Sequence, residues 1–163
     1  MMIIADVHDS PLISAMAKEI CFKYYNPIVD NSLVKYYVET FQSEEAIHRQ
    51  IEKEGYIYSF IIYNDEKVGY YSVRTENDRL LMSKLYLKEE YRGKGLGSKA
   101  IDDILDYGHS IGMNCVYLHV NKNNIPSINI YKSKGFEIVK YDDSEIGDGF
   151  RLDDYIMEYR FVS

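Results

Sequence analysis

The chain has 163 residues, of which 46% are hydrophobic and 28% are charged, a length and composition typical of one globular domain. Its formal net charge of −7 argues against nucleic acid or an anionic membrane as a partner. We therefore expect a single domain over residues 1–163, either a monomer or a homodimer.

The N-terminus lacks the basic segment of a signal peptide, and no apolar stretch approaches the roughly 20 residues of a membrane span. These features predict a cytoplasmic protein. Cys21 and Cys115 lie in apolar surroundings, which predicts buried, reduced thiols. The histidines and cysteines show no metal-ligand spacing, so we expect no metal.

The first half of the chain predicts a strand, three helices and three further strands. The first strand is expected at residues 3–7, with Ser10 as the cap of the next helix and Pro11 in its first turn. The other two helices are expected near 32–41 and 43–54. Aromatic and β-branched runs predict strands at 56–63, 68–75 and 79–87, the first two joined by a turn at Asn64-Asp65.

The second half predicts two helices among three strands. Apolar residues at helical spacing indicate a helix from Gly97 to about residue 111 and another at 125–134. The strands are expected at 115–120, 136–141 and 155–161. The unit at 79–120 should be a right-handed crossover with parallel strands, while hairpins make the other strands antiparallel. The predicted fold class is α/β (α+β), with a mixed sheet and helices on both faces.

The segment EEYRGKGLGSKA at residues 89–100 joins a strand to a helix and is rich in glycine. A Walker loop would need glycine in place of Ser98, and the dinucleotide fingerprint fails at the same position. The general mechanism of anion binding remains, because small residues let backbone N–H groups at a helix N-terminus approach a phosphate. Arg92 and Lys94 add positive charge.

The spacing Arg-x-x-Gly-x-Gly, formed by Arg92, Gly95 and Gly97, resembles the acetyl-coenzyme A pyrophosphate loop of the GNAT N-acetyltransferases. Residues 85–91 resemble that family's fourth strand, and the order of elements extends the resemblance over nearly the whole chain. The second coenzyme motif of the family is matched within residues 118–136 by Asn124, Ser127, Tyr131, Gly135 and Phe136.

The resemblance implies a mostly antiparallel, twisted sheet of six to seven strands in which strands four and five are parallel and splayed. It implies acetyl-CoA as cosubstrate, with its pantetheine arm between those strands and its pyrophosphate on the amides of residues 92–98. Lys134, with Lys132, would meet the 3′-phosphate, unless these lysines form only a solvated helix face. The residues expected to contact the coenzyme are Leu85, Leu87, Arg92, Gly93, Lys94, Gly95, Leu96, Gly97, Ser98, Asn124, Ser127, Tyr131 and Lys134.

Two residues are the catalytic candidates. Tyr131 matches the family's tyrosine that protonates the departing thiolate, and a phenol with a pKa of about 10 holds its proton at neutral pH. His119 is the expected base, since imidazole titrates at about pH 6.5. The alternatives are a packed helix tyrosine, a hydrogen-bonded histidine and a relay of water molecules. Other relatives carry a carboxylate on the fourth strand, where this chain has Ser83.

The acceptor is expected to be a small polyamine or another small primary amine. Residues 142–158 contain seven carboxylates and one arginine, and this segment resembles the PaiA-type branch, whose members acetylate spermidine and spermine. The N-terminal helices and the loop at 24–31 should shape the acceptor side. A protein N-terminal or lysine acetyltransferase and a non-catalytic coenzyme-A-binding module are the alternatives.

Overall fold

The computed structural model describes residues 2–24 and 31–162. Their helices are α1 (Ser10–Tyr24), α2 (Asn31–Phe41), α3 (Glu44–Glu52), α4 (Leu96–Ser110) and α5 (Ile125–Ser133). Their strands are β1 (Ile3–Ile4), β2 (Ile57–Tyr63), β3 (Glu66–Glu76), β4 (Arg79–Leu87), β5 (Cys115–Asn121), β6 (Glu137–Asp142), β7 (Glu145–Gly147), β8 (Phe150–Arg151) and β9 (Asp154–Arg160). No helix within these ranges is long and apolar enough to cross a bilayer.

Seven strands form one twisted sheet in the order β1-β2-β3-β4-β5-β9-β6. Strands β4 and β5 are parallel, whereas all the other neighbours in this sheet are antiparallel. The predicted mixed sheet with a parallel crossover is therefore confirmed. The acidic segment adds a feature that the sequence analysis missed, a separate hairpin of β7 and β8.

Helices cover both faces of the sheet, and each face has its own core. On one face, α4 and α5 pack on apolar residues of the central strands, including Val73, Leu80 and Leu118. On the other face, α1, α2 and α3 pack around Tyr58, Tyr70 and other residues of β2, β3 and β4. Burial of these apolar surfaces is the main stabilisation of both layers. Both cysteines are buried and free, as predicted.

Strands β4 and β5 separate shortly after they begin. They pair only at residues 79–81 of β4 and 115–117 of β5, although β4 continues to Leu87 and β5 to Asn121. Among the described residues, the backbone of β4 beyond Leu81 therefore has no partner strand on the β5 side. This is the splay that the sequence analysis expected between strands four and five.

A β-bulge at Ser83 reverses the side-chain alternation of β4. Ser72 pairs with Lys84 and Val73 with Met82, so Ser83 is the extra residue. As a result, Met82 and Leu85 point toward the α4 core. Lys84 instead contacts the ends of α2 and α3.

The N-terminal boundary differs from the prediction. Strand β1 ends at Ile4 because Asp6 and Asp9 form a capping box around a 3₁₀ turn at Val7–Asp9. Ser10 is already helical, and its hydroxyl donates to the Val7 carbonyl at 2.8 Å. Ser10 as a helix cap was therefore wrong, while Pro11 in the first turn is confirmed.

The predicted turn at Asn64-Asp65 is present, and both residues have positive φ, of 49° and 64°. This is the backbone that a two-residue hairpin of β2 and β3 requires. The loop at 24–31, which was expected on the acceptor side, falls on residues 25–30 and so lies outside the described residues.

Candidate active site

A cavity of about 470 Å³ opens where β4 and β5 separate. Its walls come from both layers of the fold, so the opening passes between the two strands from one face of the sheet to the other. The α4–α5 side contributes Leu85, Asn124, Ser127 and Tyr131. The α1–α3 side contributes mostly side chains of α2 and β4, namely Leu33, Val34, Tyr37, Phe41, Lys84 and Tyr86.

The glycine-rich segment forms the N-terminus of α4. Gly95 is the N-cap, with a left-handed backbone of φ 79° and ψ 6°, a conformation that favours glycine. An added Cβ at Gly93, Gly95 or Gly97 would meet no atom within 4 Å, so the surface above the turn is open. The first-turn N–H groups of a helix have no intrahelical acceptor and carry the positive end of its dipole. This turn can therefore receive an anionic phosphate through its backbone.

The cationic side chains near this turn already have contacts. The Arg92 guanidinium donates to the Leu87 carbonyl at 3.1 Å, which ties the turn to the end of β4. The Lys94 ammonium lies 5.5 Å from the centre of the Tyr63 ring. Lys134 forms an ion pair of 2.8 Å with Asp102, which links the end of α5 to α4.

Helix α5 holds three of the predicted residues on the cavity wall. Asn124 is 2% exposed, and its side chain caps the helix by accepting from the Ser127 amide at 3.4 Å. Tyr131 follows on the same helix and packs its ring 5.8 Å from that of Phe136. Asn124 thus has a structural role at the helix start, and Tyr131 presents a phenol beside the splayed strands.

His119 lines the cavity from β5, on the face that looks toward α2. Its side chain is 36% exposed, and its Nδ1 lies 3.8 Å from Oδ2 of Asp142. Desolvation lowers the pKa of His119, while the charges of Asp142 and Glu76 act in the opposite direction. A neutral imidazole, which can accept a proton, is therefore favoured at this position.

Lys84 is a cavity residue that sequence reasoning missed. Its side chain is 5% exposed, and its Nζ donates to Gln50 Oε1 at 2.8 Å, to the Phe41 carbonyl at 3.1 Å and to the Tyr58 hydroxyl. Burial lowers its pKa from 10.5 to about 7. The ammonium is held by three neutral oxygens at the junction of β4 with the α2–α3 connection.

The β7–β8 hairpin closes the cavity opposite β4. Tyr36 of α2 donates to the Ile146 carbonyl at 2.9 Å, and its ring stacks on Phe150 at 4.9 Å. Ile146 and Leu152 then line the cavity, together with Asp154 at the start of β9. The acidic segment therefore contributes a wall of the site, which its composition alone did not reveal.

The site residues expected from the sequence form two groups in space. His119, Leu85, Asn124, Ser127 and Tyr131 share the cavity wall. Residues 92–98 lie at the start of α4, and Leu87 and Lys134 are outside the set that lines the cavity. Within the described parts of the chain, no three His, Cys, Asp or Glu side chains form a group that could hold a metal ion.

These features define a class of fold, in which an open helix N-terminus lies beside two parallel strands that splay apart around a cavity. The chain matches the Acetyltransferase (GNAT) family over residues 26–136. We therefore assign it to that family.

Comparison with known proteins gives relatives and a shared fold. The chain is 32% identical over 100 residues to the probable N-acetyltransferase san of Drosophila melanogaster, covering 58% of this chain and 54% of that protein. It is 31% identical over 99 residues to spermidine N(1)-acetyltransferase of Escherichia coli K12, covering 58% and 50%. The chain spans about half the length of these curated relatives.

The same fold occurs in the crystal structure of the PaiA N-acetyltransferase of Thermoplasma acidophilum in complex with coenzyme A. The two structures align with a TM-score of 0.81 over 96% of each chain, at 18% sequence identity. The similarity establishes the shared fold.

Proposed function

We propose that the protein is an N-acetyltransferase that moves the acetyl group of acetyl-CoA directly to a primary amine. One observation carries the proposal: a single cavity between splayed strands brings together Tyr131, His119 and the free edge of β4. Acetyl-CoA suits the surrounding residues. The open N-terminus of α4 would hold its pyrophosphate, and the unpaired backbone of β4, at Leu85 and Leu87, would pair with its pantetheine amides.

The proposed chemistry needs one proton acceptor and one proton donor. The amine must lose a proton to attack the thioester carbonyl, and His119 is the group assigned to receive it, directly or through water. The new C–N bond forms as the C–S bond breaks. Tyr131 would then donate its phenolic proton to the departing thiolate. No acyl-enzyme is required, because the amine and the thioester meet within the one cavity.

Small polyamines are the proposed acceptors. The Escherichia coli relative is a spermidine N(1)-acetyltransferase, and the structural neighbour is a PaiA N-acetyltransferase. The cavity itself combines aliphatic walls with a carboxylate, a combination that suits a flexible chain of methylene groups bearing ammonium groups.

The test is a thiol-release assay with acetyl-CoA against a panel of polyamines, monoamines, amino acids, aminoglycosides and N-terminal peptides. Rapid turnover of spermidine or spermine, with slow turnover of peptides, is the expected result. If no acceptor releases thiol while acetyl-CoA raises the melting temperature, the chain is a coenzyme-binding module instead. The same outcome would reject the proposed catalytic roles.

A protein or peptide amine is the second candidate acceptor. His119 remains 36% exposed, so an amine carried by a larger molecule can reach it from solvent. Peptides turned over faster than any polyamine in the same panel would favour this candidate over the first.

A further inference from the structure

Asp154 contributes a carboxylate to the lining of the cavity. It is the first residue of β9 and pairs with Asn121 of β5, so its side chain shares the sheet face of His119, two residues before Asn121. Its negative charge is among the causes that raise the pKa of the Tyr37 phenol to about 12. The carboxylate therefore belongs to the cavity lining on the side of the sheet that α2 covers.

Among the described residues, Asp154 differs from Asp153 in having no cationic partner. Asp153 pairs with Lys122 at 3.2 Å and accepts from the Tyr141 hydroxyl, and Asp142 accepts from Ser144. Within residues 2–24 and 31–162, no Lys, Arg or His forms an ion pair with Asp154. A hydrogen bond from the backbone N–H of Asp153 partly stabilises the ionised form of the Asp154 carboxyl.

The environment of Asp154 favours the arrival of a positive charge. Burial, with the nearby charges of Asp142 and Asp153, raises the pKa of Asp154 to about 6. A desolvated carboxylate close to other carboxylates is costly unless a cation neutralises it. An ammonium group that entered the cavity would neutralise this carboxylate.

Some walls of the cavity are aliphatic. They include Leu33 and Val34 of α2, Ile146 and Leu152 around the β7–β8 hairpin, and Val120 of β5. Such walls suit a methylene chain, since moving CH₂ groups from water into apolar surroundings is favourable. The cavity thus matches a molecule with one reacting amine, an alkyl chain and a second, charged amine.

We propose that Asp154 binds the distal ammonium group of a diamine or polyamine acceptor and thereby selects it over a monoamine of the same chain length. This inference rests on the proposed acetyltransferase function and names the residue that determines its specificity. Asp154 has no part in the bond-making step. Its effect is on acceptor affinity.

The test compares kcat and KM for putrescine and butylamine, which share the same number of carbons. The wild type, Asp154→Asn and Asp153→Asn are measured, the last being a control that removes the adjacent carboxylate facing Lys122. We expect Asp154→Asn to raise the KM for putrescine at least tenfold while leaving its kcat, and both constants for butylamine, within twofold. Asp153→Asn should keep the preference of the wild type.

The other outcomes separate this inference from the proposed function. A wild type that acetylates both amines with equal kcat/KM, or an Asp154→Asn variant that keeps the preference, would overturn the role of Asp154 alone. An equal fall in kcat for both amines would make Asp154 part of the chemistry and would also overturn it. If the wild type acetylates no amine, calorimetric titration measures the binding of putrescine to the wild type and to Asp154→Asn. Equal affinities of the two proteins would then overturn the proposal. Coenzyme A binding and melting curves check that each variant is folded.

Discussion

The Nζ of Lys84 donates a hydrogen bond of 2.8 Å to Oε1 of Gln50, at the buried junction of β4 and α3. Because burial lowers the pKa of Lys84 to about 7, the folded protein binds fewer protons than the unfolded chain between about pH 7 and pH 10.5. The contribution of this lysine to the free energy of unfolding therefore rises with pH across that window.

We predict that Lys84→Met removes this rise. The free energy of unfolding of the variant minus that of the wild type should be highest at about pH 7. It should then fall by up to about 1.4 kcal/mol per pH unit toward pH 10. Urea denaturation at several pH values measures the difference. Lys18→Met, at an exposed position of α1, serves as the control. A difference that does not change with pH would mean that Lys84 keeps its ordinary pKa.

Gly95 can be tested against a glycine at the other end of the same helix. Gly95 and Gly112 both have φ of 79°, and an added Cβ at either meets nothing within 4 Å, so a side chain brings a similar backbone strain of about 1–2 kcal/mol at each. Gly95→Glu should abolish coenzyme A binding, because its carboxylate would stand at the N-terminus of α4. Gly112→Glu should bind normally in calorimetry. Wild-type affinity in Gly95→Glu would refute the phosphate assignment.

Tyr131→Phe should lower kcat by about a hundredfold, the usual scale of general acid catalysis, with little change in the Kd of coenzyme A. Tyr107→Phe is a suitable control, since Tyr107 is also half-buried and packs on the same core. Steady-state thiol release and calorimetry give the two constants. A turnover number equal to that of the wild type would remove the Tyr131 hydroxyl from the acid role.

His119 predicts the shape of the pH–rate profile. Because desolvation lowers its pKa, the acidic limb of kcat/KM for butylamine, an acceptor that does not require Asp154, should lie below about pH 6.5, the ordinary value for imidazole. His119→Gln should lose that limb, whereas His109→Gln, whose ring packs on Phe161, should retain it. A limb that persists in His119→Gln but disappears in Asp154→Asn would identify the Asp154 carboxyl as the titrating group.

The local signals of the sequence predicted most of the fold. The turn at Asn64-Asp65 and the crossover between β4 and β5 follow from residue types and chain direction, which act over short distances. The cavity was harder to predict. Alternation along β4 would put Met82 and Lys84 on one face, and only the bulge at Ser83 separates them. No residue type marks a bulge at that position, so Lys84 could not be predicted to line the site.

The position of Asp154 in the cavity lining could not be predicted from the sequence for a related reason. It lies in a segment whose acidic composition is typical of a solvated surface, and Asp153 beside it is indeed paired at the surface with Lys122. Two adjacent carboxylates therefore have opposite environments, which depend on the direction of β9 and on the docking of the hairpin against Tyr36. Both are long-range features that local sequence does not encode.

The bulge at Ser83 also bears on how such a protein can diversify. Beyond it, Leu85 faces the α4 layer while Lys84 and Tyr86 contact α2, so neighbouring residues of one strand line opposite sides of the cavity. Under the proposed function, substitutions at 84 and 86 would change the α2 side of the cavity without altering the strand edge assigned to the coenzyme. One strand would therefore allow the acceptor to change separately from the donor, because each side of the bulge presents its own set of side chains.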